Sequence, residues 1–138
     1  TDAGTGSLEQ MALAEFCETN FNSHIKMLRS ELQKKSEAMC YAFDKYFGSS
    51  AEYNKPDGGI FIWVDMPKKV DTSRLYELAL REGVAINPGN EWSINASGKH
   101  KMRLCFGNPS VKEIDEGIKL LAEICRKEFS LPTKIANL

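Results

Sequence analysis

The feature that most constrains the fold is an apolar face that advances alternately by four and three positions through residues 21 to 46. Spacing of this kind places side chains on one side of an α-helix. Lys35 is the polar interruption in a face made of Phe21, Ile25, Leu28, Leu32, Met39, Ala42 and Tyr46. Such a helix would be about 39 Å long. Because that length exceeds a small domain, we expect the helix to link this domain to a second body.

The segment upstream of this face is also helical in pattern. Residues 8–16 form a shorter amphipathic run, and Asn20 and Asn22 predict a loosening between the two stretches. Residues 48–50 (GSS) are expected to end the long helix.

Beyond residue 50 the pattern becomes that of a small mixed domain. The nearly continuous apolar run at 60–64 predicts a strand covered on both faces. Asp71 is placed to cap a helix that ends at Gly83, and residues 84–86 predict a short strand.

The C-terminal third supplies one more strand and one more helix. Residues 101–106 alternate between apolar and polar, which predicts a strand with two different faces. A capping box at Ser110 and Glu113 opens a last helix, and residues 131–138 are expected to form a loose tail. The element order predicts an α+β fold: a small sheet covered by helices on one face, preceded by a long interdomain helix.

Composition argues against several functional classes. The 138 residues carry a formal net charge of −1 with acids and bases interspersed, so there is no basic stripe for a nucleic acid. No apolar run approaches the roughly 20 residues of a membrane span, and the polar residues 1–7 lack the apolar core of a signal peptide. We therefore expect a cytoplasmic protein with no nucleic acid and no membrane partner. Because the chain begins with Thr1 rather than Met, we expect a processed start or a fragment.

The cysteine pattern gives little support for a metal site or a disulfide framework. No two cysteines form a C-x-x-C pair, and His24 and His100 lie far from any of them. The four are Cys17, Cys40, Cys105 and Cys125. We expect small buried thiols in a reducing compartment.

Arg103 is the residue with the most specific chemical interpretation. It lies in the middle of a predicted strand among apolar residues, where an unpaired charge is costly to bury. Its planar guanidinium suits a carboxylate bound through two hydrogen bonds. An ion pair with an acid of the same domain, or an exposed strand face, would explain the residue equally well. The glycine pair at 58–59 is a better turn than a phosphate site.

Four ordered segments resemble the class I/II aminotransferases of pyridoxal-phosphate (PLP) fold type I. Residues 56–64 resemble their P-x-G-G-x-F-x-W, residues 83–89 their G-V-x-x-x-P-G, residues 103–106 their R-L-x-F and residues 114–121 their I-x-E-G-[IV]-x-x-L. Residues 10–14 and 24–29 suit the interdomain helix of the subgroup similar to 2-aminoadipate, kynurenine and valine transaminases.

The resemblance implies a substrate site but no catalytic residue in this chain. In that family the arginine of R-L-x-F binds the substrate α-carboxylate, a role that falls on Arg103. Trp92 stands where the family usually has a Phe that lines the substrate region, although a packing role for Trp92 is equally compatible. The family's cofactor lysine, pyridine-nitrogen aspartate and phosphate-binding residues belong to the preceding large domain. PLP is thus expected in the intact enzyme, and neither bound PLP nor catalysis is expected from this chain alone.

The same resemblance implies partners and domain limits. Substrates would be an amino acid and a 2-oxo acid, and the intact enzyme would be a homodimer. Residues 1–47 would be the end of the large domain and the interdomain helix, residues 48–130 the small domain, and residues 131–138 a tail. Two alternatives remain: an aminotransferase-like effector domain of a helix-turn-helix transcription regulator, and a stand-alone ligand-binding α+β module.

Overall fold

The computed structural model describes residues 4–94 and 96–134. Its helices are α1 (Ser7–Tyr46), α2 (Thr72–Arg81) and α3 (Val111–Phe129), and its strands are β1 (Glu52–Tyr53), β2 (Phe61–Asp65), β3 (Asn87–Pro88) and β4 (Lys101–Cys105). Short 3₁₀ turns occupy Gly48–Ser50, Gly89–Trp92 and Ala96–Gly98. The chain divides into two compact units, the first ending at Glu31 and the second beginning at Leu32. Within the described ranges, no helix combines the length and the apolar character needed to cross a bilayer.

The helix α1 is continuous through the asparagines that were expected to loosen it. The Asn20 side-chain amide donates to the Phe16 carbonyl at 3.2 Å, and the Ser23 hydroxyl donates to the Asn20 carbonyl at 2.9 Å. These side chains bond within the helix and do not divert its backbone, so the predicted loosening is wrong. In the first unit the large apolar side chains of α1 are exposed.

The second unit contains an antiparallel four-stranded sheet in the order β1-β2-β4-β3. The two central strands pair Trp63 with Arg103 and Val64 with Met102, while β3 pairs Asn87 with Arg103. The core lies on one face of this sheet and receives side chains from all three helices. Its members include Met39, Phe43, Tyr46, Ile62, Val64, Leu75, Met102, Leu104, Ile114, Ile118 and Leu121. The predicted α+β fold is confirmed.

The strand β2 has one buried and one open face. Ile62 and Val64 are buried, whereas Phe61 and Trp63 are 38% and 46% exposed. The prediction of a strand covered on both faces is therefore wrong. Aromatic residues filled both faces of the sequence pattern, but helices cover only one of them. The predicted two-faced strand at 101–106 is confirmed, because Met102, Leu104 and Phe106 are all buried.

The short strand lies at Asn87–Pro88 and not at residues 84–86. Gly83 adopts a positive φ of 82° beyond the end of α2, and the Val84 amide donates back to the Ala79 carbonyl at 2.9 Å. This C-terminal turn uses the backbone that the expected strand needed. The strand β1 had no sequence-based prediction.

Both predicted helix caps are present. The Asp71 carboxylate accepts from the Ser73 and Arg74 amides at the start of α2. Ser110 and Glu113 form the reciprocal capping box of α3. These caps fix where α2 leaves the β2 connection and where α3 follows β4.

The described part of the C-terminal segment is packed and not loose. Leu131 is only 2% exposed and belongs to the core. The Ser50 hydroxyl donates to the Pro132 carbonyl at 2.6 Å, and Lys134 Nζ donates to the Asp44 carbonyl at 3.2 Å. The expected loose tail is therefore wrong for 131–134, while 135–138 lie outside the described residues.

Candidate functional site

The candidate site lies on the open face of the sheet, opposite the core. Side chains alternate between the two faces of a strand, so Lys101, Arg103 and Cys105 of β4 share this face with Phe61 and Trp63 of β2. Arg103 stands in the central position, with Trp63 and Asn87 as its partners on the two adjoining strands.

The guanidinium of Arg103 is held between two aromatic rings. Its central carbon lies 4.1 Å from the ring centroid of Phe61 and 3.9 Å from that of Trp92. Both distances are within the range of cation–π contact. Because the rings cover the flat faces of the guanidinium, its terminal N–H groups at the edge are left to bind a ligand in the guanidinium plane.

The Arg103 side chain is not satisfied by the described residues. Its Nε is buried and has no hydrogen-bond partner there, and none of the ion pairs formed within those ranges includes Arg103. A buried donor without a partner costs free energy. Of the alternatives left open by the sequence, the described part of the chain provides no intradomain ion pair, and the half-buried side chain does not point freely into solvent.

The neighbouring cation on the same face is already neutralised. Lys101 Nζ lies 2.7 Å from the Asp65 carboxylate, which also lies 3.1 Å from His100 Nε2. Arg103 and Lys101 therefore differ in what they can do, because an anion reaching Lys101 would compete with Asp65.

Trp92 is carried over Arg103 by a loop with a narrow base. A Cβ placed on Gly89 would lie 2.5 Å from the Gly98 carbonyl oxygen and 2.7 Å from that of Lys101. The two ends of the 89–98 segment can approach this closely because Gly89 lacks a side chain. Trp92 remains 54% exposed, so its ring contacts Arg103 and also presents surface to a ligand.

The sequence singled out Arg103 and Trp92 but missed Phe61. The motif containing Phe61 was noticed, yet its run of apolar residues was interpreted as buried on both sides. Strict alternation with Ile62 was the available signal, since one of two adjacent strand residues must face away from the core.

The cysteines do not add a nucleophile to this face. All four are free thiols, and burial raises the pKa of Cys125 to about 12. Burial is also the largest cause that raises the pKa of the Cys40 thiol. A raised pKa disfavours the reactive thiolate. Within residues 4–94 and 96–134, no cluster of three His, Cys, Asp or Glu side chains is arranged to hold a metal.

Comparison with known proteins links this site to one family. The model of the family "Aminotransferase class I and II" matches residues 4–121. An uncharacterised aminotransferase of Saccharolobus solfataricus is 35% identical over 94% of this chain and 32% of its own length. The crystal structure of an alpha-aminoadipate aminotransferase from Thermus thermophilus, complexed with N-(5'-phosphopyridoxyl)-L-leucine, matches with a TM-score of 0.85. It is 29% identical, over 95% of this chain and 34% of its own.

A second kind of relative shares the same segment. An uncharacterised HTH-type transcriptional regulator of Bacillus subtilis strain 168 is 30% identical over 92% of this chain and 26% of its own length. The chain spans about a third of the length of the first curated relatives that it matches.

Proposed function

The chain belongs to the class I and II aminotransferases, and on that premise we propose that it is the C-terminal domain of a PLP-dependent enzyme. The intact protein would transfer an amino group between an amino acid and a 2-oxo acid. This domain would bind and orient the substrate, while chemistry would need residues beyond these 138.

The observation that carries this proposal is the unsatisfied guanidinium of Arg103. Two rings fix its plane at 4.1 and 3.9 Å, and its Nε has no partner among the described residues. A carboxylate that binds through both oxygens in that plane would receive two parallel charge-assisted hydrogen bonds. We assign to Arg103 the role of binding the substrate α-carboxylate.

Trp92 is proposed to line the substrate region. Its ring contacts the guanidinium from one side and is more than half exposed. A carboxylate at the edge of Arg103 would bring the adjoining carbon atoms of the substrate close to this surface. Aromatic surface of this kind contributes apolar contact with little loss of side-chain entropy.

The described residues fit the substrate carboxylate better than they fit the cofactor. The ammonium groups of Lys35, Lys45 and Lys101 are each engaged by protein oxygen atoms. When bound in the intact enzyme, PLP supplies an electron sink. We propose that the residues holding it lie outside this chain, so that borohydride treatment of the chain with PLP would trap no single lysine stoichiometrically.

The remaining assignments follow from the same proposal. Residues 1–47 would be the end of the large domain and the interdomain helix, residues 48–130 the small domain, and residues 131–138 a tail. The intact enzyme would be a homodimer. Four free cysteines are consistent with a reducing, cytoplasmic location.

An effector domain of a transcription regulator is the second candidate. The observation that favours it is the 30% identity to an HTH-type regulator over nearly the whole chain. The reading frame upstream of Thr1 separates the two, because a helix-turn-helix segment there would support the regulator and overturn the enzyme.

The site itself can be tested by titrating the 138-residue chain with sodium acetate against sodium chloride at matched ionic strength. We expect saturable perturbation of Trp fluorescence by acetate only. Arg103→Ala should abolish it, whereas Arg126→Ala, which removes an exposed arginine of α3, should not. Equal responses to acetate and chloride, or an unchanged response in Arg103→Ala, would refute the assignment.

A further inference from the structure

Lys35 is the polar position in the apolar face of α1, and its contacts lead to the turn that follows β4. Its ammonium donates to the Gly107 carbonyl at 2.9 Å and to the Asn108 carbonyl at 3.3 Å. The side chain is half-buried, and the helix positions around it, Leu32 and Met39, pack with the core. Two consecutive carbonyls of one turn therefore converge on a single lysine.

The charge of Lys35 lies close to the N-terminus of α3. The pKa of the Glu113 carboxyl is lowered first by the hydroxyl and then by the amide of Ser110, and Lys35 also lowers it. A cation at a helix N-terminus is opposed by the helix dipole. No carboxylate within the described ranges forms an ion pair with Lys35, so the two turn carbonyls are its hydrogen-bond acceptors there.

The turn held by Lys35 packs directly against the start of β2. A Cβ placed on Gly107 would lie 3.2 Å from Ile60 Cβ, which leaves almost no gap between them. The Phe106 amide donates to the Ile60 carbonyl at 2.9 Å. The next residue, Phe61, places its ring 4.1 Å from the Arg103 guanidinium. A continuous set of contacts thus runs from Lys35 through the turn to one wall of the arginine site.

We propose that Lys35 is a positioning residue for Arg103, an inference that rests on the proposed carboxylate-binding function. Its ammonium fixes the turn, the turn fixes Ile60 and Phe61, and the Phe61 ring fixes the plane of the guanidinium. Without the ammonium the two carbonyls lose their donor, the turn relaxes away from Ile60, and Phe61 no longer covers one face of Arg103.

Four variants of the 138-residue chain separate this role from general stability. Lys35→Met keeps the length and apolar stem but removes the donors, and Lys35→Arg restores a donor. Lys127→Met is the matched control, since it removes an exposed lysine of α3. Gly107→Ala pushes the turn from the other side through its contact with Ile60, so it decides the matter should Lys35→Met fail to fold.

The first measurement is the Arg103 Nε–H resonance in a ¹⁵N spectrum recorded without ligand. Stacking between two rings shifts this proton upfield, so Lys35→Met and Gly107→Ala should move it downfield. Lys35→Arg should return it towards the wild-type position, and Lys127→Met should leave it unchanged. An unchanged resonance in Lys35→Met, or in Gly107→Ala when only that variant folds, would overturn the proposal. An equal shift in Lys127→Met would do the same.

The second measurement is acetate affinity from the same spectra. The loss of hydrogen bonds that hold a site in place should weaken acetate about two- to tenfold in Lys35→Met, with recovery in Lys35→Arg. The two readouts fail separately. A wild-type chain that binds no acetate contradicts the proposed function, whereas acetate binding that is unaffected by Lys35→Met contradicts the role of Lys35.

Discussion

The guanidinium carbon of Arg103 lies 3.9 Å from the ring centroid of Trp92, although the two residues are held by different elements. Arg103 belongs to the central strand β4, whereas Trp92 ends the 3₁₀ turn of a loop that departs from β3. The strand supplies a rigid position and the loop supplies the covering ring. The orientation of the arginine therefore depends on a contact that neither element makes alone.

Replacement of Trp92 should weaken carboxylate binding without abolishing it. A cation–π contact contributes about 0.5–2 kcal/mol, so Trp92→Ala should weaken acetate binding about two- to thirtyfold. Trp92→Phe keeps a ring face and should lose less. Fluorescence from the remaining Trp63 or a ¹⁵N spectrum provides the measurement. Trp63→Ala is the comparison, because Trp63 lies on the same face without a cation–π contact to Arg103; an equal loss there would contradict a specific role for Trp92.

A side chain at Gly89 should open the base of the loop that carries Trp92. The added Cβ would lie 2.5 Å from the Gly98 carbonyl oxygen, so the backbone must move. Overpacking of this kind costs about 1–3 kcal/mol. We expect Gly89→Ala to lower the free energy of unfolding by that amount in a urea titration and to reduce acetate affinity. Gly58→Ala is the matched control, since a Cβ there meets nothing within 4 Å.

The parts of the fold that the sequence predicted are those fixed by local chemistry. The Asp71 cap, the Ser110 capping box and the alternation of Met102 with Arg103 each depend on a few neighbouring residues. The open face of β2 could not be predicted in this way. Phe61 and Trp63 are as apolar as their buried neighbours, and only the placement of all helices on the other face exposes them.

The site was predicted in its centre and not in its surroundings. A charged residue in a strand made Arg103 conspicuous, and the family resemblance gave it a role that stays a proposal. The contacts of Phe61 and Lys35 are separated from it by 42 and 68 positions in sequence, and nothing local indicates them. The order of strands β2 and β4 in the sheet brings the first of these to Arg103.

Acid should remove the contribution of the Asp71 cap. Burial alone would raise the pKa of Asp71, but hydrogen bonds from Lys99 and from the Arg74 and Ser73 amides hold it below its usual value. A lowered pKa stabilises the fold above the unfolded pKa of about 4, and this stabilisation is lost as the pH falls through the folded value. Asp71→Asn keeps a good cap without the charge.

The measurement is the free energy of unfolding of both proteins between pH 2 and pH 7. The advantage of the wild type over Asp71→Asn should be constant above about pH 5 and shrink at lower pH. Asp71→Ala should cost about 1 kcal/mol at neutral pH. An advantage over Asp71→Asn that persists unchanged at pH 2 would contradict the charged cap, and the exposed Asp57→Asn provides the control.

The exposed apolar side chains of α1 should promote self-association of this chain. Seven large apolar residues of its first unit are between 40% and 77% exposed. They are Leu8, Met11, Leu13, Phe16, Phe21, Met27 and Leu28. Exposed apolar surface of this extent favours association. Sedimentation should show concentration-dependent oligomers that Phe21→Glu with Leu28→Glu reduces, whereas a strictly monomeric wild type would contradict the expectation.

The central claim is that Arg103 binds the substrate carboxylate, and the intact enzyme allows a direct test. Removing the guanidinium leaves the carboxylate without its partner, a loss of roughly 3–5 kcal/mol. That loss corresponds to about two to four powers of ten in kcat/KM. Arg103→Lys keeps the charge but not the planar pair of donors, and should recover only part of the rate. Arg126→Ala should leave kcat/KM unchanged.

The decisive measurement compares kcat/KM for an amino acid and for its decarboxylated amine in the wild type and in Arg103→Ala. The amine has no carboxylate for the guanidinium to bind. We predict that Arg103→Ala lowers the value for the amino acid by about two to four powers of ten and leaves the value for the amine nearly unchanged. A decrease by the same factor for both substrates would show that Arg103 only supports the fold, and would contradict the account.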